Sequence, residues 1–207
     1  ALFAHNVVGS PGGGPSGSGC AEVGGDDAVV TLGSFATTTV DGVSHGRGTT
    51  DQQAGTFMHE LGHTLGLRHG GIDGNNCKPN YRSVMSYTRQ FAGSPIANRR
   101  LDYSRSKDPD LNELSLDEFN ALGSDPSLGP IITYFPTADQ IAFGPGAWSL
   151  VTPAPQGIAV PVNWDRRMQG KSPSFQTNAT GDINAGATTG CDGVGTVLLG
   201  HDDWSNI

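Results

Sequence analysis

The sequence has no uninterrupted apolar run of about 18 residues, so no segment reads as a membrane-spanning helix. Positive charge is scarce: 12 Lys and Arg stand against 20 Asp and Glu, a formal net charge of −8 over 207 residues. A chain this acidic lacks the basic face that nucleic-acid binding requires. Apolar residues make up only 35% of the chain, against a usual share of about 45–50%. A thin core is expected, with reinforcement from a metal ion or a disulfide. The three cysteines, Cys20, Cys77 and Cys191, form no CxxC pair, which excludes zinc-ribbon sites. One disulfide with a free thiol fits this spacing, and so do three buried thiols. Residues 1–30 lack a basic start followed by an apolar stretch, and the first residue is Ala1. Both points read as a processed or trimmed product. Three lysines against nine arginines are compatible with a secreted protein.

What the sequence does have is glycine, 31 residues of it, with 13 prolines. Residues 9–25 (GSPGGGPSGSGCAEVGG) read as a mobile loop or wide turn. Residues 28–35 (AVVTLGSF) are β-branched and apolar and read as a strand. Thr50 and Gln53 have capping-box spacing, and Asp51 places negative charge in a first helical turn. The helix they open runs through Ala54, Phe57, Met58, Leu61 and Leu65 to a stop at Gly66. Ser115 and Glu118 announce a second helix that ends at Gly123. Short strand-like pieces follow at 131–135, 158–162 and 196–199. The fold class is α+β, with two helices, few strands and much loop.

Residues 59–69 read HELGHTLGLRH. His59 and His63 are i and i+4 on one helix, so both imidazoles lie on one face, one turn apart. Two neutral nitrogens so placed can share one Zn²⁺. Glu60, beside the first of them, can reach a metal-bound water without joining the coordination sphere. In a continued helix His69 would sit rotated by about 600° and raised by about 9 Å from His63. It can share the metal only if the chain leaves the helix at Gly66, whose lack of a Cβ permits a positive φ. Three histidine ligands then leave a fourth position open, the mark of a catalytic zinc rather than a structural one. At average composition these residues meet these offsets by chance on the order of 10⁻⁷ times per starting position, which sets aside incidental histidines.

This string, followed sixteen residues after His69 by Ser83-Val84-Met85-Ser86-Tyr87, resembles the metzincin metallopeptidases, whose signature is a long zinc motif and a Met-turn. The SVMSY string is most similar to serralysins and astacins. The resemblance implies that Met85 lies beneath the three imidazoles as an apolar floor. It implies that Tyr87 binds the metal as an extra ligand and swings away to hydrogen-bond the tetrahedral intermediate. The residue after the third histidine is Gly70, followed by Gly71. With the later strings LDYSR (101–105) and LDEFNALG (116–123), this looks like a less familiar, mostly microbial, secreted group of the clan. The implied architecture is an upper β-subdomain ending in the zinc helix (1–66), a loop-rich lower subdomain (67–123) closed by a C-terminal helix, and an extension (124–207) packed on the catalytic domain. Metzincins usually place a long helix before the zinc helix, and none reads in the 58 residues before His59. The upper subdomain (1–66) is therefore expected to be N-terminally incomplete, with a cleaved N-terminal segment or propeptide as a partner; a reduced upper lobe is the alternative.

The expected activity is that of a secreted zinc-dependent endopeptidase acting on protein or peptide substrates. Glu60 serves as general base and then as proton donor to the leaving amine. The substrate lies extended against an exposed strand edge, for which 28–35 is the candidate. Two rivals stand beside this reading: a zinc-binding module without turnover, and a zinc hydrolase of small amides. Oxygen-rich clusters, Asp73/Asn75/Asn76, Asp192, Asp202/Asp203 and above all Asn163, Asp165, Asp182 and Asn184, suit Ca²⁺ and equally suit tight turns. The stretches around the last four resemble a calcium-binding tail of the microbial group. Arg89, Arg99 and Arg100, past the Met-turn, are candidates for a pocket wall that favours acidic or polar side chains. Trp148, Trp164 and Trp204 are expected core anchors, and His5, His45 and His201 surface or turn residues.

Overall fold

The computed structural model describes residues 2–4, 17–35, 37–40, 42–92, 100–122, 131–134, 148–151, 161–165, 168–169, 172–184 and 196–207. Among these residues one helix and five small sheets form a mixed α+β arrangement. The front sheet has the order β1-β3-β2. Strand β3 (Ala28–Thr31) runs parallel to β1 (Leu2–Ala4) and antiparallel to β2 (Gly19–Ala21). The β-branched residues of β3 explain its central place, since Val30 and Thr31 are fully buried.

Two expectations change here. The strand ends at Thr31 rather than Phe35 and is flanked on both sides, so it is not the edge. The edges are β1 and β2, and β2 lies inside the stretch read as a loop. Gly19, Cys20 and Ala21 carry no strand propensity of their own. Pairing with β3 imposes the extended conformation, which is how tertiary context overrides local preference.

A hairpin of β4 (Thr37–Val40) and β5 (Val43–Gly46) leads into α1 (Thr50–Thr64). The N-cap is Thr49, one residue earlier than expected. Its hydroxyl accepts from the Gln52 backbone, and the Gln52 side chain accepts from the Thr49 N–H. The helix stops as the sequence implies: Gly66 takes φ 97° and Leu67 N–H returns to the Gly62 carbonyl at 2.9 Å. The inward face of α1 carries Gly55, Thr56, His59, Glu60, Gly62 and His63, while Phe57, Leu61 and Leu65 are exposed. The helix thus buries small and polar residues, the reverse of an ordinary surface helix. Gly62 lets the Met85 sulfur approach so closely that any Cβ would collide with it.

The expected second helix, Ser115–Gly123, is absent: 113–122 form turns. Leu116 exchanges backbone hydrogen bonds with Ala179, and Glu118 N–H donates to the Gln176 carbonyl. Asp117 accepts from the Phe119 and Asn120 backbones at 3.0 and 3.2 Å. These cross-chain and Asx contacts compete with the helical ladder and win. Glu118 is no helix cap. It is fully buried, and its carboxylate accepts from Asp165 N–H and Gln176 N–H. Glu113 likewise accepts from Ile183 and Thr196.

The strand expected at 131–135 appears as β7 (Ile131–Tyr134), paired with β8 (Trp148–Val151). Strands β9 (Met168–Gln169) and β10 (Ser172–Pro173) form a second short hairpin. The piece at 196–199 appears as β11 (Val197–Leu198), antiparallel to β6 (Leu111–Asn112). Of the piece at 158–162, residues 158–160 lie outside the described residues, and 161–162 form no strand.

Two apolar clusters hold these parts. One joins Leu111, Leu116 and Leu122 to Val162, Trp164, Ile183 and Leu198. The other, Leu67, Tyr81, Val84, Met85 and Tyr103, lies under α1. Trp164 is a core anchor as expected. Trp204 is half-exposed against Tyr103, and the Trp148 side chain lies outside the described residues. Cys77 is disulfide-bonded and Cys20 is free, which selects among the alternatives left open by the sequence.

Tyr103 O–H donates to the Met58 carbonyl of α1 at 2.6 Å. Tyr103→Phe removes that bond and little else, so thermal unfolding should show a loss of about 0.5–1.5 kcal/mol.

Candidate metal centre

His59 and His63 project from the inner face of α1, and their rings are fixed from behind. The Nδ1 atom of His59 lies 3.0 Å from the Val84 carbonyl, and that of His63 lies 2.8 Å from the Leu67 carbonyl. A carbonyl can only accept, so each Nδ1 carries the proton and each Nε2 keeps its lone pair. The two Nε2 atoms converge to 3.2 Å. Two ligands of a tetrahedral Zn²⁺ at the usual bond length stand about 3.3 Å apart.

His69 arrives from a tight turn. Arg68 and Gly71 exchange both backbone hydrogen bonds, at 2.7 and 2.9 Å, which leaves His69 and Gly70 at the tip. Gly71 takes φ 87°, a conformation that disfavours any side chain. The ring centroid of His69 lies 5.2 Å from that of His59 and 4.9 Å from that of His63. One nitrogen from each of the three histidines falls within 4.8 Å of the others, so the group can hold a metal ion.

Burial pulls the His59 pKa down to about 3 and that of His69 to about 4, and it lowers His63 in the same direction. The three imidazoles are therefore neutral at physiological pH, the form that binds a metal. Burial also raises Glu60 to about 7. A cation on the histidines acts on that carboxylate in the opposite sense.

Val84, Met85 and Ser86 form the turn beneath. Met85 is fully buried and packs against Gly62 of α1. Tyr87 is partly exposed, its ring 5.5 Å from that of His59 and 4.4 Å from that of His69. Its hydroxyl pKa is raised by burial and next by Glu60. Asn76 holds this corner: its Oδ1 accepts from Cys77 N–H at 2.8 Å and from Tyr87 N–H at 3.0 Å.

The histidines, Glu60 and Tyr87 share a cleft of about 610 Å³ with the residues of β2. Gly19 touches Glu60 so closely that a Cβ there would stand 2.5 Å from the Glu60 Oε1. Gln90 and Phe91 form another wall. Gln90 donates to the Ser18 hydroxyl at 2.9 Å, and Phe91 meets Phe35 edge to face at 5.7 Å. Gly19, Gln90 and Phe91 escape sequence reasoning because each matters through a partner distant in the chain, and Asn76, named there as a Ca²⁺ candidate, instead braces the turn at Tyr87.

Of the arginines expected in a pocket wall, the two that are described, Arg89 and Arg100, are placed otherwise. Arg89 is buried with its guanidinium on the Tyr81 and Lys78 carbonyls. Arg100 is exposed near Asp102, and Arg99 lies outside the described residues. Of the calcium candidates, Asp165 accepts from the Gln176 side chain and Asn184 donates to the Asn76 carbonyl. Asn163 precedes the buried Trp164, and Asp182 lies between Gly181 and the buried Ile183. Neither Asp165 nor Asp182 belongs to a group of three or more closely spaced His, Cys or carboxylate ligands among the described residues. Asp73 pairs with Lys78, and Asp203 accepts from Tyr81 and Ser104. His201 packs half-buried against Gly71, and Asp192, His5 and the His45 side chain lie outside the described residues. Among those residues no helix is long and apolar enough to cross a membrane.

Comparison with known proteins returns no family model, no curated protein and no solved structure that matches the chain.

Proposed function

We propose that this chain is a secreted, zinc-dependent endopeptidase of metzincin type. The observation that carries the reading is the convergence of three neutral imidazoles with a buried carboxylate, Glu60, in a cleft bounded by an edge strand. The donor set suits Zn²⁺: three histidine nitrogens with an open fourth position characterise catalytic rather than structural zinc. When bound there, the metal supplies Lewis acidity, polarising a peptide carbonyl and acidifying water.

The chain's own residues do the rest. Glu60, a carboxylate lining the same cleft as the histidines, accepts a proton from the attacking water and passes it to the leaving amine. The Tyr87 hydroxyl donates a hydrogen bond to the oxygen that gains charge. β2 offers its outer edge, unpaired among the described residues, to an extended peptide. Met85 keeps the floor beneath the histidines dry and packed.

The test is hydrolysis. The purified chain should cleave casein, lose that activity to 1,10-phenanthroline and regain it on adding Zn²⁺. Activity on small amides with none on peptides would replace the endopeptidase reading by that of a small-amide hydrolase. Zinc uptake without any hydrolysis would leave a binding module.

A further inference from the structure

The three ligands are not positioned in the same way. His59 and His63 are set by α1 and by the carbonyls of Val84 and Leu67. His69 sits at the tip of a turn, and that turn is gripped from outside. Lys78 Nζ donates to the Gly70 carbonyl at 2.7 Å, one residue from the ligand. The same ammonium donates to the Leu199 carbonyl at 2.7 Å and pairs with Asp73 at 3.1 Å. Its side chain is wholly buried. Burial pulls it below the ordinary lysine pKa, and Asp73 pulls it back. Three acceptors match the three protons of an ammonium group, so the buried charge is fully satisfied.

Two of those anchors belong to different parts of the chain. Leu199 lies in the C-terminal segment, 121 residues from Lys78. That segment is tied down along its length. Leu198 O accepts from Asn80, and Asp203 accepts from the Tyr81 hydroxyl at 2.8 Å and from Ser104 N–H at 3.0 Å. Its His201 ring rests on Gly71, where a Cβ would stand 2.6 Å from the ring. Both residues that follow the third ligand are thus held by, or through, residues 199–203.

We infer that Lys78, anchored by the C-terminal segment 198–203, is the positioning residue that sets His69 on the metal. The segment is then part of the metal site's assembly, although none of its atoms reaches the three histidines' cleft. The inference rests on the reading that the three histidines hold a metal, and on no particular catalytic activity.

Zn²⁺ dissociation constants of the full chain, measured by competition with a chromophoric chelator, test it. Partners behind metal ligands typically carry about 10–100-fold in affinity. Lys78→Met should weaken Zn²⁺ binding at least about tenfold, and Asp203→Asn should weaken it in the same direction, with far-UV circular dichroism unchanged. The Co²⁺-loaded variants should lose visible absorption intensity as an imidazole is replaced by water. Glu118→Gln, whose buried carboxylate accepts from Asp165 N–H and Gln176 N–H and from no residue of 198–203, serves as a control that lowers stability and leaves Zn²⁺ affinity intact. Wild-type affinity in Lys78→Met overturns the inference. If that variant does not fold, wild-type affinity in Asp203→Asn overturns it instead. An equal loss in Glu118→Gln overturns it as well, because general loosening then explains the effect. A wild-type chain that takes up no Zn²⁺ overturns both the inference and the reading of the site.

Discussion

Glu60→Gln should lower kcat/KM on a casein-derived peptide by about 10²–10⁴-fold, the usual contribution of a positioned general base. The Zn²⁺ content of the variant should stay that of the wild type. Glutamine keeps the shape and the packing against Gly19 but cannot accept the proton from water. The prediction is specific because the three histidines that could hold the metal are separate groups, with Nδ1 of His59 and His63 anchored on Val84 and Leu67. Loss of both zinc and activity would place Glu60 in the structure of the site instead. Undiminished cleavage would remove it from the mechanism, and the endopeptidase proposal in this form with it.

Gly19→Ala should have an effect of similar order by a different route. The added methyl would stand 2.5 Å from the Glu60 Oε1 and 2.6 Å from the Val29 carbonyl. The carboxylate can move, but Val29 belongs to the central strand, and its carbonyl cannot retreat. Either β2 shifts outwards or Glu60 is displaced. Overpacking of this kind costs about 1–3 kcal/mol of stability. A displacement near 1 Å at a reacting group costs about 10²-fold in rate. Gly19 has no positive φ, so the backbone itself tolerates alanine. Gly74→Ala is the matched control: a Cβ there meets nothing within 4 Å. Chelator competition should find wild-type Zn²⁺ affinity in both variants, with cleavage lost only in Gly19→Ala. Equal cleavage by the two would mean that the β2 edge does not constrain Glu60.

What could be read in advance follows the range of the forces involved. The pairing of His59 with His63 is legible because helical geometry places i and i+4 on one face whatever surrounds them. The exit at Gly66 is legible because a positive φ needs glycine, and φ 97° is found there. The nearness of Tyr87 to the histidines was legible through a resemblance, not through spacing. β2 was not legible, since its Gly-Cys-Ala stretch is extended only by pairing with β3. The helix expected from Ser115 failed for the converse reason. Its local signals are sound, but Leu116 and Glu118 bond to residues 176–179, and a short helix is too weak to resist that competition.

The apolar pattern of α1 misled in a more instructive way. Phe57, Leu61 and Leu65 suggest a buried stripe, yet they face outwards. The buried face is given to the two ligands, to Glu60 and to glycines that admit Met85 and the Gln90 backbone. A helix whose inner face serves a polar site does not follow the ordinary amphipathic rule.

The sequence by itself determined the histidine-bearing helix, its start to within one residue, its stop, and the placing of His59, His63 and Glu60 on it. These depend on interactions within a few residues, which a string of letters records. Only the tertiary structure decided which strand borders the cleft, what holds the third histidine, and where Arg89 and Arg100 lie. Those depend on a backbone edge paired across the sheet and on a buried ammonium whose partners lie up to 121 residues away. Contacts at that separation leave no periodicity to read, because burial and hydrogen bonding are satisfied by whichever segment the fold brings near.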